Sequence, residues 1–106
     1  MSQHKIVVFV PADHADVVRQ AIGNAGGGRL GDYAFCSFSL RGVGRFVPQT
    51  GARPAIGQVG RLEEVEEERI EITCDSSLVR DVIDAVLAVH PYEEPALDVW
   101  PLESWK

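Results

Sequence analysis

The sequence predicts an α+β domain in which two helices lie on one face of a four-stranded antiparallel sheet, with a long loop or hairpin over residues 41–62. Three observations lead there. Short apolar runs are β-branched or alternate with a period of two, and two longer runs repeat at three- and four-residue steps. These runs follow one another as strand, helix, strand, loop, strand, helix, strand. Two βαβ halves in that order are the ferredoxin-like βαββαβ arrangement. Residues 1–106 are assigned to this one domain, since 106 residues is an ordinary domain's length.

Lys5-Ile-Val-Val-Phe-Val10, closed by Pro11, is short, β-branched and aromatic, which makes it a buried first strand. From Asp13 the period changes: Val17, Val18, Ala21, Ile22 and Ala25 place an apolar stripe along a helix that Gly26-Gly27-Gly28 ends. Tyr33 to Ser39 alternates again and predicts the second strand, with Tyr33, Phe35, Ser37 and Ser39 on one face and Ala34, Cys36 and Phe38 on the other. Residues 41–62 hold Gly42, Gly44, Gly51, Gly57, Gly60, Pro48 and Pro54 and few large apolar groups, so they read as a partly hairpin-like excursion outside the core.

Arg69 to Cys74 predicts a third strand with one wet side, entered from the acidic run Glu63–Glu68. Asp75-Ser76-Ser77 offers capping oxygens to a second helix marked by Leu78, Val79, Val82, Ile83, Val86 and Val89. That helix stops at His90, because Pro91 disfavours a helical residue before it. Ala96 to Trp100 supplies the last strand.

A formal net charge of −6, with no basic cluster, argues against nucleic acid and anionic membranes as partners. The first apolar run, Ile6 to Val10, is far below the ~20 residues of a bilayer span. It also lacks the cleavage site of a signal peptide. Two cysteines, Cys36 and Cys74, are too few for a small secreted scaffold, so the expected location is the cytoplasm.

Gly26 to Gly31 matches G-x-G-x-x-G, but it follows a helix, whose C-terminal carbonyls repel phosphate; a glycine cap and turn is the expected role. His4 falls at a frayable terminus, His14 opens the first helix, and Cys74 faces the core, so none of them converges on a metal. Cys36 or Ser37 with His90 is the one pairing that offers a nucleophile and a base, and no oxyanion motif accompanies it. The densest constellation is His90-Pro-Tyr-Glu-Glu-Pro-Ala96, in which two prolines stiffen the presentation of His90, Tyr92, Glu93 and Glu94. It reads either as a binding site or as a stiff connector with solvated carboxylates.

V-V-F-V-P with A-D-H-A, G-x-Y-x-x-C-S-F-S at 31–39, G-x-G-x-F-x-P at 42–48 and H-P-Y-E-E-P-A at 90–96 together resemble the PII/CutA-like domain. They are most similar to the version inserted in the dinuclear-metal type-two homologues of GTP cyclohydrolase one, the NGG-one-interacting-factor-three-like family. The H-P-Y-E segment is also similar to CutA, the divalent-cation tolerance protein. The flanking domain that carries the metal in the two-domain relatives has no counterpart in these residues. Where relatives often read His-Cys-Ser-Phe-Ser, this chain has Phe35, which removes a histidine from that strand.

The resemblance implies a non-catalytic small-ligand or divalent-cation binding or regulatory module that assembles with itself as a homotrimer. Catalytic residues are expected to be none. The ligand site is expected at Cys36, Ser37, His90, Tyr92, Glu93 and Glu94, near a subunit boundary, and a divalent metal cation, if one binds, at His90 and Glu93. Two alternatives stay open: a metal-assisted nucleotide hydrolase, and an oligomerisation subunit whose 41–62 loop docks a separate metal-domain protein.

Overall fold

A computed structural model describes residues 2–106. The chain runs β1 (Gln3–Pro11), α1 (Ala15–Asn24), β2 (Phe38–Phe46), β3 (Glu63–Asp75), α2 (Val79–Val89) and β4 (Leu97–Leu102), with a single 3-10 turn leading into each helix. The sheet order is β2-β3-β1-β4, with every neighbouring pair antiparallel. This is the ferredoxin-like α+β arrangement.

Side chains alternate across the strands, so Ile6, Val8 and Val10 of β1 and Ile70, Ile72 and Cys74 of β3 face the helices. Ala15, Val18 and Ile22 of α1 and Val82 and Val86 of α2 meet them, and all eleven side chains are buried. Burying a Val or Ile side chain contributes about 1.5–3 kcal/mol, so this layer is the main apolar stabilisation of the domain. Val17, expected within the α1 stripe, instead lies at its solvent side and is half exposed, because Ala15, Val18 and Ile22 are the positions that meet the sheet. Gly26, at φ 97°, turns the chain out of α1, and the Gly27 N–H donates to the Ile22 carbonyl at 2.9 Å. Asp75 caps the turn into α2, accepting from the Ser77 N–H at 2.9 Å. The backbone donation and the Ser77 hydroxyl hold the Asp75 carboxyl below the usual aspartate range.

Three expectations shift. Residues 33–37 are not a strand apart from an isolated bridge between Leu30 and Tyr33. Phe35 sits at φ 58°, and its ring covers Gly23, where any Cβ would collide with it. The Cys36 N–H donates to the Gly28 carbonyl at 2.8 Å, and the Gly28 N–H donates to the Thr73 carbonyl at 2.9 Å. The segment is thus folded against the end of α1 instead of extending. His4 does not fray: it lies in β1 with Nδ1 2.6 Å from the Ser76 hydroxyl.

The second strand starts later and runs through Arg41–Phe46, so the loop proper covers 47–62. The acidic run is its partner strand. Arg41 lies 3.2 Å from Glu66 and 3.3 Å from Glu68, and Arg45 lies 3.2 Å from Glu64. Arg19 of α1 reaches the same row, with Glu68 at 2.5 Å and Ser39 at 3.0 Å. Arg19 and Arg41 hold the Glu68 carboxyl below its ordinary range. Phe46 pairs with Glu63 while β1 ends at Pro11 opposite Glu67, so the β2–β3 hairpin overhangs the sheet.

Candidate functional site

The overhang creates a recess that a flat sheet would lack. Gly42 and Gly44 face away from the helices, opposite Glu67 and Val65, and leave that side of the hairpin without side chains at two successive outward positions. The loop after β2 folds back over it, closed by the Gly60 N–H donating to the Pro48 carbonyl at 2.7 Å. On the other side the 90–96 connector lies along the end of β1, where the Phe9 N–H donates to the Ala96 carbonyl at 3.0 Å. Between hairpin, loop and connector is a cavity of about 480 Å³. Phe9, Phe46, Pro54 and Ile56 give it apolar walls, and Glu67, Tyr92, Glu93 and Glu94 supply polar groups.

Glu67 is only 8% exposed. Its Oε2 accepts from the Tyr92 hydroxyl at 2.8 Å. Burial and that carboxylate push the Tyr92 hydroxyl's pKa upward, so it remains a neutral donor at physiological pH. The Tyr92 ring meets the Phe46 ring edge to face, with centroids 5.7 Å apart. A Cβ at Gly44 would run into the Glu67 carboxylate, so the glycine leaves the room in which that carboxylate sits.

His90 is also 8% exposed. Its Nδ1 accepts from the Tyr92 N–H at 3.1 Å, which places the proton on Nε2, and Nε2–H donates to the Phe9 carbonyl at 2.7 Å. Burial lowers its pKa from the ordinary value, opposed by the Phe9 bond and by Glu67. His90 therefore fastens the connector to β1 as a neutral ring. Glu93 Oε1 accepts from the Arg53 N–H at 2.7 Å and pins the loop to the connector.

Of the six residues expected at the site, Tyr92, Glu93 and Glu94 line the cavity, and His90 stands behind Tyr92. Cys36 and Ser37 do not line it: Cys36 is held at Gly28, and no hydrogen bond links either residue to His90. The expected His90 and Glu93 pair does not fit a metal ion as it stands. Both ring nitrogens of His90 are committed to the backbone, and one Glu93 oxygen is committed to Arg53. Among the described residues no three His, Cys, Asp or Glu side chains gather in a metal-binding group. Glu67 was not among the expected residues. Its signal in the sequence is faint: a carboxylate in an acidic strand whose neighbour carries glycines at alternate positions.

No helix is long and apolar enough to cross a membrane among the described residues. No family model matches the chain. It is 48% identical over 103 residues to the GTP cyclohydrolase 1 type 2 homolog of Halalkalibacterium halodurans, a match covering 97% of this chain and 28% of that protein. A solved structure, the Bacillus cereus protein related to NIF3, superposes with a TM-score of 0.84 at 50% identity, covering 97% of this chain and 26% of that one. The periplasmic divalent cation tolerance protein CutA from Archaeoglobus fulgidus gives a TM-score of 0.67 at 18% identity, covering 96% of this chain and 85% of that one, and so shares the fold. Over nearly its whole length, then, the chain is related in sequence to one stretch of the GTP cyclohydrolase 1 type 2 homologues, spanning about a quarter of their length, and it has the fold of the CutA proteins.

Proposed function

We propose that this chain is a non-catalytic binding module that holds a small ligand in the cavity between the hairpin, its loop and the 90–96 connector, and that it assembles as a homo-oligomer. One observation carries the reading: a recess of about 480 Å³ with apolar walls around a buried carboxylate and phenol. A few fixed polar groups in an apolar recess are the usual make-up of a small-molecule site. The non-catalytic character is supported by His90, whose nitrogens are both engaged and unable to serve as a base at the cavity. Against the nucleotide chemistry that the names of the relatives suggest stand the three carboxylates Glu67, Glu93 and Glu94 at the cavity, with Arg45 there already paired to Glu64.

Self-assembly draws support from the sheet face away from the helices, where Phe38 is 61% and Leu40 53% exposed, with Trp100 on the same side. Phe38 and Leu40 adjoin on the edge strand β2, Trp100 stands on the opposite edge strand β4, and exposed apolar side chains on an uncovered sheet face favour an interaction surface. The trimer is the state that the resemblance to PII/CutA-like domains implies, and a subunit boundary beside the cavity is part of the same proposal. Native mass spectrometry of the 106-residue protein reads both parts of the proposal. Retained ligand or a trimer is expected, with the trimer lost in Leu40→Glu. A monomer of 11.6 kDa at micromolar concentration refutes assembly. Unchanged ligand retention after the cavity is filled by Ala55→Trp refutes the site.

A further inference from the structure

Within that reading of the cavity as the ligand site, on which the inference rests, we propose that the ligand is an organic monocation: an amine or guanidinium on an apolar body, its charged end held by the free oxygen of Glu67. Glu67 Oε2 is occupied by the Tyr92 hydroxyl, whereas no donor among the described residues bonds Oε1. Glu67 is more than nine-tenths buried, and no buried side-chain oxygen among the described residues is left unpartnered, so its Oε1, set in the room at Gly44, meets solvent at the cavity wall, where a ligand's charged N–H donor would replace water.

No cation among the described residues fills that role. Arg45 lines the cavity but pairs with Glu64 at 3.2 Å. Arg69, the next residue along β3 on the same face, donates to Glu71 at 2.8 Å and lies over the Phe9 ring, 5.6 Å from its centroid. The remaining charges at the cavity, Glu93 and Glu94, add negative potential.

The walls narrow the ligand further. Phe9, Phe46 and Tyr92 offer aromatic rings, whose faces attract ammonium and guanidinium groups, and Arg69 already uses Phe9 in this way. Pro54 and Ile56 cover the far side and suit a hydrocarbon body. A bare divalent ion would need several converging oxygens, and Tyr92 is spent on Glu67. Anions meet three carboxylates. An organic cation satisfies the free oxygen, the rings and the apolar wall together.

The test is calorimetry on the 106-residue protein with 2-phenylethylamine, its neutral near-isostere 2-phenylethanol, 3-phenylpropionate and magnesium chloride. The amine is expected to bind, the alcohol at least about tenfold more weakly, as befits a hydrogen bond to a charged group, and the propionate and magnesium not at all. In Glu67→Gln, which keeps an acceptor for Tyr92, amine affinity falls by about tenfold or more on the same grounds. Alcohol, propionate or magnesium binding as tight as the amine overturns the proposal. So does an amine that fails to bind, or one that ignores Glu67→Gln. The ligand series on the unmodified chain decides the question even if that variant folds poorly. Probe binding that persists in Ala55→Trp overturns instead the underlying assignment of the cavity.

Discussion

Replacing His90 by alanine removes two hydrogen bonds from one buried ring. The Phe9 carbonyl loses the Nε2–H donor at 2.7 Å, and the Tyr92 N–H loses the Nδ1 acceptor at 3.1 Å. Each partner lies in a partly buried position, where an orphaned group costs about 1–3 kcal/mol. Water can reach part of the vacated volume, which favours the low end. The lost packing of the imidazole against the Tyr92 ring, 5.2 Å between centroids, adds a further contribution. The expected destabilisation is about 3 kcal/mol, a large share of the ~5–15 kcal/mol that holds a domain folded. For a chain of this size that is a fall in Tm on the order of 12–24 °C, measured by urea and thermal denaturation followed by circular dichroism. The pH dependence has a definite sign. Burial sets the folded pKa of His90 below its ordinary value of 6.5, so the unfolded chain takes up the proton first on acidification. Stability from this group is complete above about pH 6.5 and is lost as pH falls toward the folded pKa. The difference between the parent protein and His90→Ala should therefore shrink on acidification below that point. A loss under about 1 kcal/mol at neutral pH would mean that water replaces both bonds. A difference that grows on acidification would mean that the ring is charged in the folded state. Either result refutes the structural role given to His90.

Gly28→Ala places a Cβ against the Cys36 backbone at φ 82°, and a loss of about 1–3 kcal/mol in urea denaturation is expected; no measurable change would show that the 33–37 segment is not folded onto this glycine. Ile70→Ala empties a fully buried position between sheet and helices and should cost about 2–5 kcal/mol by the same assay. The Glu68 carboxyl is held below its ordinary range, chiefly by its hydrogen bond from Arg19. Its contribution is present above the unfolded value near 4.5 and is lost as pH falls below it, so Arg19→Met should flatten the acid limb of the stability profile; an unaltered limb would remove Glu68 from the account.

Much of the fold is written in local periodicity. Ile6, Val8 and Val10 can bury one face only as a strand, and Val82 and Val86 one stripe only as a helix. Gly26 and Pro91 stop the helices through φ preference and steric exclusion, both properties of a few adjacent residues. Alternation by itself misplaced the second strand. Tyr33 to Ser39 carries the pattern, yet Phe35 turns away to cover Gly23, a contact made only once α1 is in place. Arg41 to Phe46 carries little of the pattern, because Gly42 and Gly44 weaken the signal. That stretch is a strand because the acidic run of β3 offers it a ladder and the carboxylates that its arginines lack locally.

The candidate site divides in the same way. The prolines of 90–96 show in the sequence that Tyr92, Glu93 and Glu94 are presented stiffly, since proline restricts the backbone wherever it stands. That Cys36 and Ser37 lie outside the cavity is a matter of tertiary placement, as is the engagement of both nitrogens of His90. Glu67 is the clearest case. In the sequence it is one carboxylate among neighbours, indistinguishable from a solvated one, because charge and spacing carry no information about burial. The overhanging hairpin, the room left at Gly44 and the hydroxyl of Tyr92, 25 residues away in the chain, turn it into the one buried acid facing an apolar recess. Such a group is defined by what surrounds it in three dimensions, and those surroundings come from segments that meet only when the sheet has formed.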